Sequence, residues 1–93
     1  MIRSFKSQEA EEIWHGKVVR RLPSELQQVI RRKLRMLNNA QSLTDLRVPP
    51  GNRLEALKGN RAGQYSIRVN DQWRICFEWR AGDVFEVEIV DYH

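Results

Sequence analysis

The strongest constraint on the fold is a change of hydrophobic period near residue 52. Before it, apolar residues recur at helical spacing; after it, they alternate. Tyr65, Ile67 and Val69 are separated by Ser66 and Arg68, and Trp73, Ile75, Phe77 and Trp79 by Arg74, Cys76 and Glu78. Phe85, Val87 and Ile89 are separated by Glu86 and Glu88. A period of two sends successive side chains to opposite faces of an extended strand, so each run offers one face to a core. The segments between runs are short and rich in turn formers: Lys58–Gly63, Asn70–Gln72 and Ala81–Asp83. A first run from Asn52, with Leu54 and Ala56 alternating against Arg53, Glu55 and Leu57, completes four predicted strands in an antiparallel meander.

The residues before this switch predict two helices. Ala10, Ile13 and Trp14 share a face over Gln8–His15, and Gly16 is a natural stop. A stronger helix opens at Pro23-Ser24, where Ser24 and Gln27 have capping-box spacing. Leu26, Val29, Ile30, Leu34 and Leu37 form its apolar stripe, Arg31, Arg32 and Arg35 fall mostly off it, and Asn38-Asn39 suits its end. Ser42–Arg47 reads as one loose helical turn, Val48-Pro49-Pro50-Gly51 breaks regular structure, and Ile2–Phe5 could form an edge strand. Two N-terminal helices covering a small antiparallel sheet make an α+β domain, and 93 residues suffice for one such domain, 1–93.

Charge narrows the partners. Residues 17–74 hold thirteen lysines and arginines against four acids, while both flanks are acidic. Twelve of the sixteen basic residues are arginine, whose planar fork matches phosphate. A pI near 9.7 then favours nucleic-acid contact, with Arg20, Arg21, Arg31, Arg32 and Arg35 as the candidate surface. The competing account is a solvated helix face. No apolar run is long enough to span a bilayer and no secretory h-region is visible, so a cytoplasmic protein is expected. Cys76 is the single cysteine, expected as a buried thiol. With His15 and His93 far apart there is no zinc set, and no glycine-rich phosphate loop occurs, so neither metal nor cofactor is expected.

Candidate chemistry gathers at the end of the sequence. Asp91, Tyr92 and His93 combine a carboxylate, a stacking ring and an imidazole that titrates near neutral pH. The alternative is a frayed, solvated tail. By alternation Asp91 and His93 face one way and Tyr92 the other. Arg74 sits opposite Trp73, Ile75 and Phe77, on the face that carries Glu78, so it is either part of this candidate chemistry or half of a cross-strand ion pair with Glu78.

The run Leu57-Lys58-Gly59-Asn60-Arg61-Ala62-Gly63-Gln64-Tyr65-Ser66-Ile67-Arg68-Val69-Asn70-Asp71-Gln72-Trp73-Arg74-Ile75-Cys76-Phe77 resembles the central signature of HigB-like toxins. These belong to the RelE/ParE superfamily and are also called plasmid-maintenance killer proteins. The opening Met1-Ile2-Arg3-Ser4-Phe5 and the terminal Val90-Asp91-Tyr92-His93 resemble the same family, so the likeness covers essentially the whole chain. It implies a small antiparallel sheet with two N-terminal helices and a toxin that cleaves messenger RNA in the ribosomal A site. It implies Lys58, Arg74, Asp91, Tyr92 and His93 as site residues. Its expected partners are the ribosome and a HigA-like helix-turn-helix antitoxin, with operator DNA reached only through that antitoxin. Some HigB toxins have histidine where this chain has Glu55, a carboxylate able to act as a base but not as a cation beside phosphate. Two other outcomes stay open: a ParE-like inhibitor that binds gyrase without catalysis, and a module that blocks the ribosome without cutting.

Overall fold

A computed structural model of the chain describes residues 1–91. Helix α1 (Gln8–Trp14) starts where the Ser7 hydroxyl accepts from the Ala10 amide at 3.2 Å, with Glu9 and Glu11 complementing the positive helix end. Gly16 ends this segment with φ +83, as its lack of a Cβ permits. Helix α2 (Ser24–Asn39) buries Leu26, Gln27, Ile30, Leu34 and Leu37. The predicted Ser24–Gln27 capping box is not formed. Gln27 turns inward instead: its Oε1 accepts from the Val19 amide at 2.9 Å, and its Nε2 donates to the Val19 and Leu22 carbonyls, both at 2.6 Å. The loop between the helices passes over buried positions, and its backbone groups need partners there that water cannot supply.

The four strands are β1 (Glu55–Ala56), β2 (Gln64–Arg68), β3 (Trp73–Arg80) and β4 (Asp83–Asp91), antiparallel in sequence order. The first is much shorter than the predicted run from Asn52. Pro50–Asn52 is a 3₁₀ turn and Arg53 takes a left-handed φ of 45, so pairing begins only at Glu55. At Ala81-Gly82 both residues have positive φ, 51 and 84, which matches the twist of a tight hairpin.

The helices cover the inner face of the sheet, where Ile67, Val69, Ile75, Phe77, Val84, Val87 and Ile89 join the α1 and α2 stripes in one core. Phe85 does not belong to this face. Between Cys76 and Glu78 the register slips, so that Glu86 and Val87 together oppose Phe77. Glu86 adopts φ 54, and the extra residue shifts the alternation of β4. Val84 is therefore the core residue, and Phe85 lies outside under the Arg80 guanidinium, 4.0 Å from its ring centroid.

The N-terminal segment lies along the open edge of β4. It makes isolated parallel bridges, Ile2 to Val84 and Phe5 to Val87, rather than a full strand. The Arg3 amide donates to the Val84 carbonyl at 2.7 Å, and the Lys6 amide to the Val87 carbonyl at 2.9 Å. Ser4 fastens the bulge, its hydroxyl accepting from the Glu86 amide at 2.9 Å. This cover protects an edge that would otherwise invite pairing with another chain.

Candidate active site on the outer face of the sheet

Register fixes what the outer face displays. Glu55, Ser66, Cys76 and Glu88 pair successively across the four strands, forming one polar row. The next row runs Arg68, Arg74, Val90. Arg74 is only 7% exposed. Its Nε donates to the Ser66 hydroxyl at 2.8 Å, and one Nη donates to the Arg53 carbonyl at 2.7 Å and the Ser66 carbonyl at 3.3 Å. These three short contacts are to neutral oxygens; the Glu55 carboxylate stands 3.7 Å from the same Nη. A guanidinium held in a fixed pose by these acceptors is oriented in advance of any ligand.

Of the two readings of Arg74, the ion pair with Glu78 is not formed. Glu78 lies a further step along β3 and meets the Arg80 Nε at 3.4 Å, while Arg74 points toward β2 and β1. Its carboxylate neighbour is Glu55. Lys58 follows β1, exposed at the start of the 3₁₀ turn Gly59–Arg61.

Two supports of this arrangement carried no sequence signal beyond turn propensity. Asn52 is fully buried. Its Nδ2 donates to the Leu46 carbonyl at 3.1 Å and the Val48 carbonyl at 3.4 Å, and its Oδ1 accepts from the Lys33 ammonium. It thereby ties α2 to the loop whose next carbonyl, that of Arg53, holds Arg74. Burial, with Arg32 and Arg68 nearby, lowers the Lys33 pKa. Ser66 is the second support, fully buried on the outer face.

Asp91 is placed differently. Its register partner is Trp73, so it projects from the helix side of the sheet, opposite Arg74. There Gln72 Nε2 donates to its carboxylate at 3.2 Å. Gln72 and Trp73 also help line a groove of about 370 Å³ against the start of α2. Tyr92 and His93 lie outside the described residues.

The five helix-layer arginines divide. Arg21 forms a two-pronged pair with Glu9, at 2.6 and 2.5 Å, and stands 5.9 Å over the Trp73 ring. That pair holds the Glu9 carboxyl below, and the Arg21 guanidinium above, its ordinary range. Arg31 donates to the Ile13 carbonyl at 3.3 Å, at the negative end of α1. Arg20, Arg32 and Arg35 are exposed. Cys76 is buried as expected, and burial raises its pKa. Among the described residues no group of histidine, cysteine and acidic side chains is placed to hold a metal, and no helix is long and apolar enough to cross a membrane.

The fold is that of RelE-type toxins. A YafQ variant from E. coli superposes with a TM-score of 0.69 over 98% of this chain and 91% of its own, at 12% identity. YoeB from the Staphylococcus aureus YoeB–YefM toxin–antitoxin complex gives 0.64 over 100% and 98%, at 18% identity. Sequence is more specific. Toxin HigB-1 of Vibrio cholerae is 45% identical over 83 residues, covering 88% of this chain and 87% of that protein. Endoribonuclease HigB of Proteus vulgaris is 32% identical over 97 residues, covering both chains fully. The family model for the RelE-like toxin HigB of type II toxin–antitoxin systems matches residues 3–93, and the chain belongs to that HigB-like toxin family.

Proposed function

We propose that this toxin is an endoribonuclease that cuts messenger RNA in the ribosomal A site, with the outer sheet face around Arg74 receiving the scissile phosphate. The observation that carries this reading is the seat of Arg74: a buried cation held at 2.7–2.8 Å by a hydroxyl and a carbonyl. The reaction needs little from the protein. The RNA 2′-OH attacks the adjacent phosphorus, the bond to the 5′-oxygen breaks, and a 2′,3′-cyclic phosphate and a 5′-hydroxyl result. Arg74 and Lys58 stabilise charge that grows on the phosphate oxygens. Glu55, beside Arg74, accepts the 2′-OH proton, and His93 donates one to the leaving oxygen. Tyr92 stacks on a base, and Asp91, which its pairing with Trp73 turns toward the helices, takes no part at the phosphate.

Such a sparse acid–base set positions free RNA poorly, so the ribosome supplies the orientation. Arg20, Arg32 and Arg35 then contact ribosomal RNA phosphates, as do Arg21 and Arg31 in addition to their internal bonds. A HigA-like helix-turn-helix antitoxin neutralises the toxin in the cytoplasm and links it to operator DNA. The test is cleavage by purified protein of one message, translated and naked. Rapid cutting of the translated message alone supports the reading. Equal cutting of both refutes ribosome dependence, and arrest of translation without cuts favours a blocking module.

A further inference from the structure

The outer face holds a second cationic cluster, one diagonal step from Arg74. Glu88 is paired with Cys76, two residues along β3 from Arg74, so the two side chains share a face at the roughly 7–8 Å of a diagonal neighbour. Two cations converge on Glu88. An Arg61 Nη reaches its carboxylate at 2.7 Å from the turn before β2, and Lys6 Nζ reaches the same oxygen at 3.5 Å from the N-terminal segment along β4. Arg61, Glu88, Arg74 and Lys6 all act electrostatically on the Cys76 thiol beneath them. Across this part of the face three cations, Lys6, Arg61 and Arg74, stand against two carboxylates, Glu88 and Glu55, an excess of one positive charge.

The cations are open where the carboxylate is not. The Lys6 and Arg61 side chains are 56% and 39% exposed, and that of Glu88 only 17%. Arg61 Nε is, among the described residues, the one buried side-chain nitrogen or oxygen without a hydrogen-bond partner. A guanidinium fixed in a pose that leaves a donor unsatisfied is poorly explained by stability. It is better explained by what its outward edge is held to meet.

We propose that Lys6 and Arg61 form a seat for a second phosphate of the RNA strand whose scissile phosphate lies at Arg74, with Glu88 holding both cations in place and tempering their affinity. This rests on the endonuclease reading of the Arg74 face. It places the strand across the sheet from β2 toward β4, and it gives the N-terminal segment a role beyond covering an edge.

The test measures binding to ribosomes programmed with a message blocked by 2′-O-methylation at the cut site, over a range of salt. Lys6→Gln and Arg61→Gln should each weaken binding roughly three- to tenfold and flatten the log–log salt slope by about 0.7, the loss of one single-strand phosphate contact. Glu88→Gln should bind several-fold tighter than native, because it removes the opposing charge. Lys6 is exposed, so its variant keeps the native melting temperature whatever happens at Arg61 and Glu88. Replacing the adjacent message phosphate by a neutral methylphosphonate should weaken native binding, weaken that of the Arg61→Gln protein less, and leave the Lys6→Gln/Arg61→Gln double variant unaffected. Native-like affinity and slope in both cation variants would overturn the proposal. So would a deficit that persists undiminished on the methylphosphonate message, which puts the contact on ribosomal RNA, or a Glu88→Gln protein that binds no tighter. A protein that shows the expected pattern yet never cuts an unblocked message loses the endonuclease reading and keeps the phosphate seat. One that cuts without the pattern loses only the seat.

Discussion

Replacing Asn52 with alanine should cost far more than a loop substitution usually does. The side chain is fully buried and serves four partners: two carbonyls and, more weakly at 3.7 Å, the Met36 sulfur through Nδ2, and the Lys33 ammonium through Oδ1. The partners differ in what they can recover. Val48 is exposed and Lys33 is half-buried, so water can replace much of what they lose. Leu46 is buried, and its carbonyl cannot be rehydrated without opening the loop. A stranded buried acceptor costs about 1–3 kcal/mol, and the two more accessible partners add roughly 1 kcal/mol together, so a total of about 3 kcal/mol is expected. For a domain of this size that corresponds to a fall in melting temperature of roughly 12–24 °C. Thermal unfolding followed by circular dichroism measures it. Asn52→Asp keeps the acceptor for Lys33 and loses the donors, so it should fall between the two. A melting temperature for Asn52→Ala within two or three degrees of native would refute the claim that this residue anchors the loop behind Arg74.

Three further outcomes follow from the same contacts. Ser66→Ala removes the acceptor for Arg74 Nε and should lower the cleavage rate about tenfold or more, with little added loss in an Arg74→Ala background; full additivity in this double-mutant comparison would show that the serine acts elsewhere. Deleting His93 should leave melting nearly unchanged, because Val84, Val87 and Ile89 anchor β4, but should reduce cleavage about 10²–10⁴-fold; a fully active truncation removes the imidazole from the mechanism. The Asp83 carboxyl is held below its ordinary range first by the N-terminal amine and also by Arg3, and that of Glu9 by Arg21. Depressed folded-state values mean that this stability is present at neutral pH and lost as acid protonates the groups, below the usual carboxylate range. Asp83→Asn should therefore flatten the acid limb of a stability–pH curve, and an unchanged limb would show that the N-terminal pair contributes nothing.

Where local pattern decides the structure, the sequence was legible. Period two identified β2 and β3 and their inward residues, and the α2 stripe marked the helix and its buried side. Failures fall where two segments must meet. Nothing in Val84-Phe85-Glu86-Val87 announces a bulge, since a glutamate at φ 54 is stabilised by Ser4 from the far end of the chain. Alternation alone therefore predicts Phe85 on the core face, which Val84 occupies instead. Alternation puts Arg74 on the correct face but offers only Glu78, its neighbour along the strand, as an ion-pair alternative, because choosing Glu55 needs the β1–β2 register. Asp91 and Arg74 read as one site in a linear sequence, whereas the pairing of Asp91 with Trp73 sends that carboxylate toward the helices. Asn52 reads as the start of the first strand run, because its burial depends on α2 supplying Lys33 from nineteen residues away.

The most direct test of the account is the mapping of new 5′ ends on a single message translated by purified ribosomes, with native protein and Arg74→Ala compared at equal, verified folding. The native toxin should produce discrete cuts within the reading frame. The variant should bind ribosomes no more than about tenfold more weakly and, at saturating toxin, cut at least about a hundredfold more slowly, the scale of losing one preorganised charge partner in the transition state. Equal cutting by the folded variant, or translation arrest by the native protein with no new ends, would contradict the assignment of cleavage to the Arg74 face.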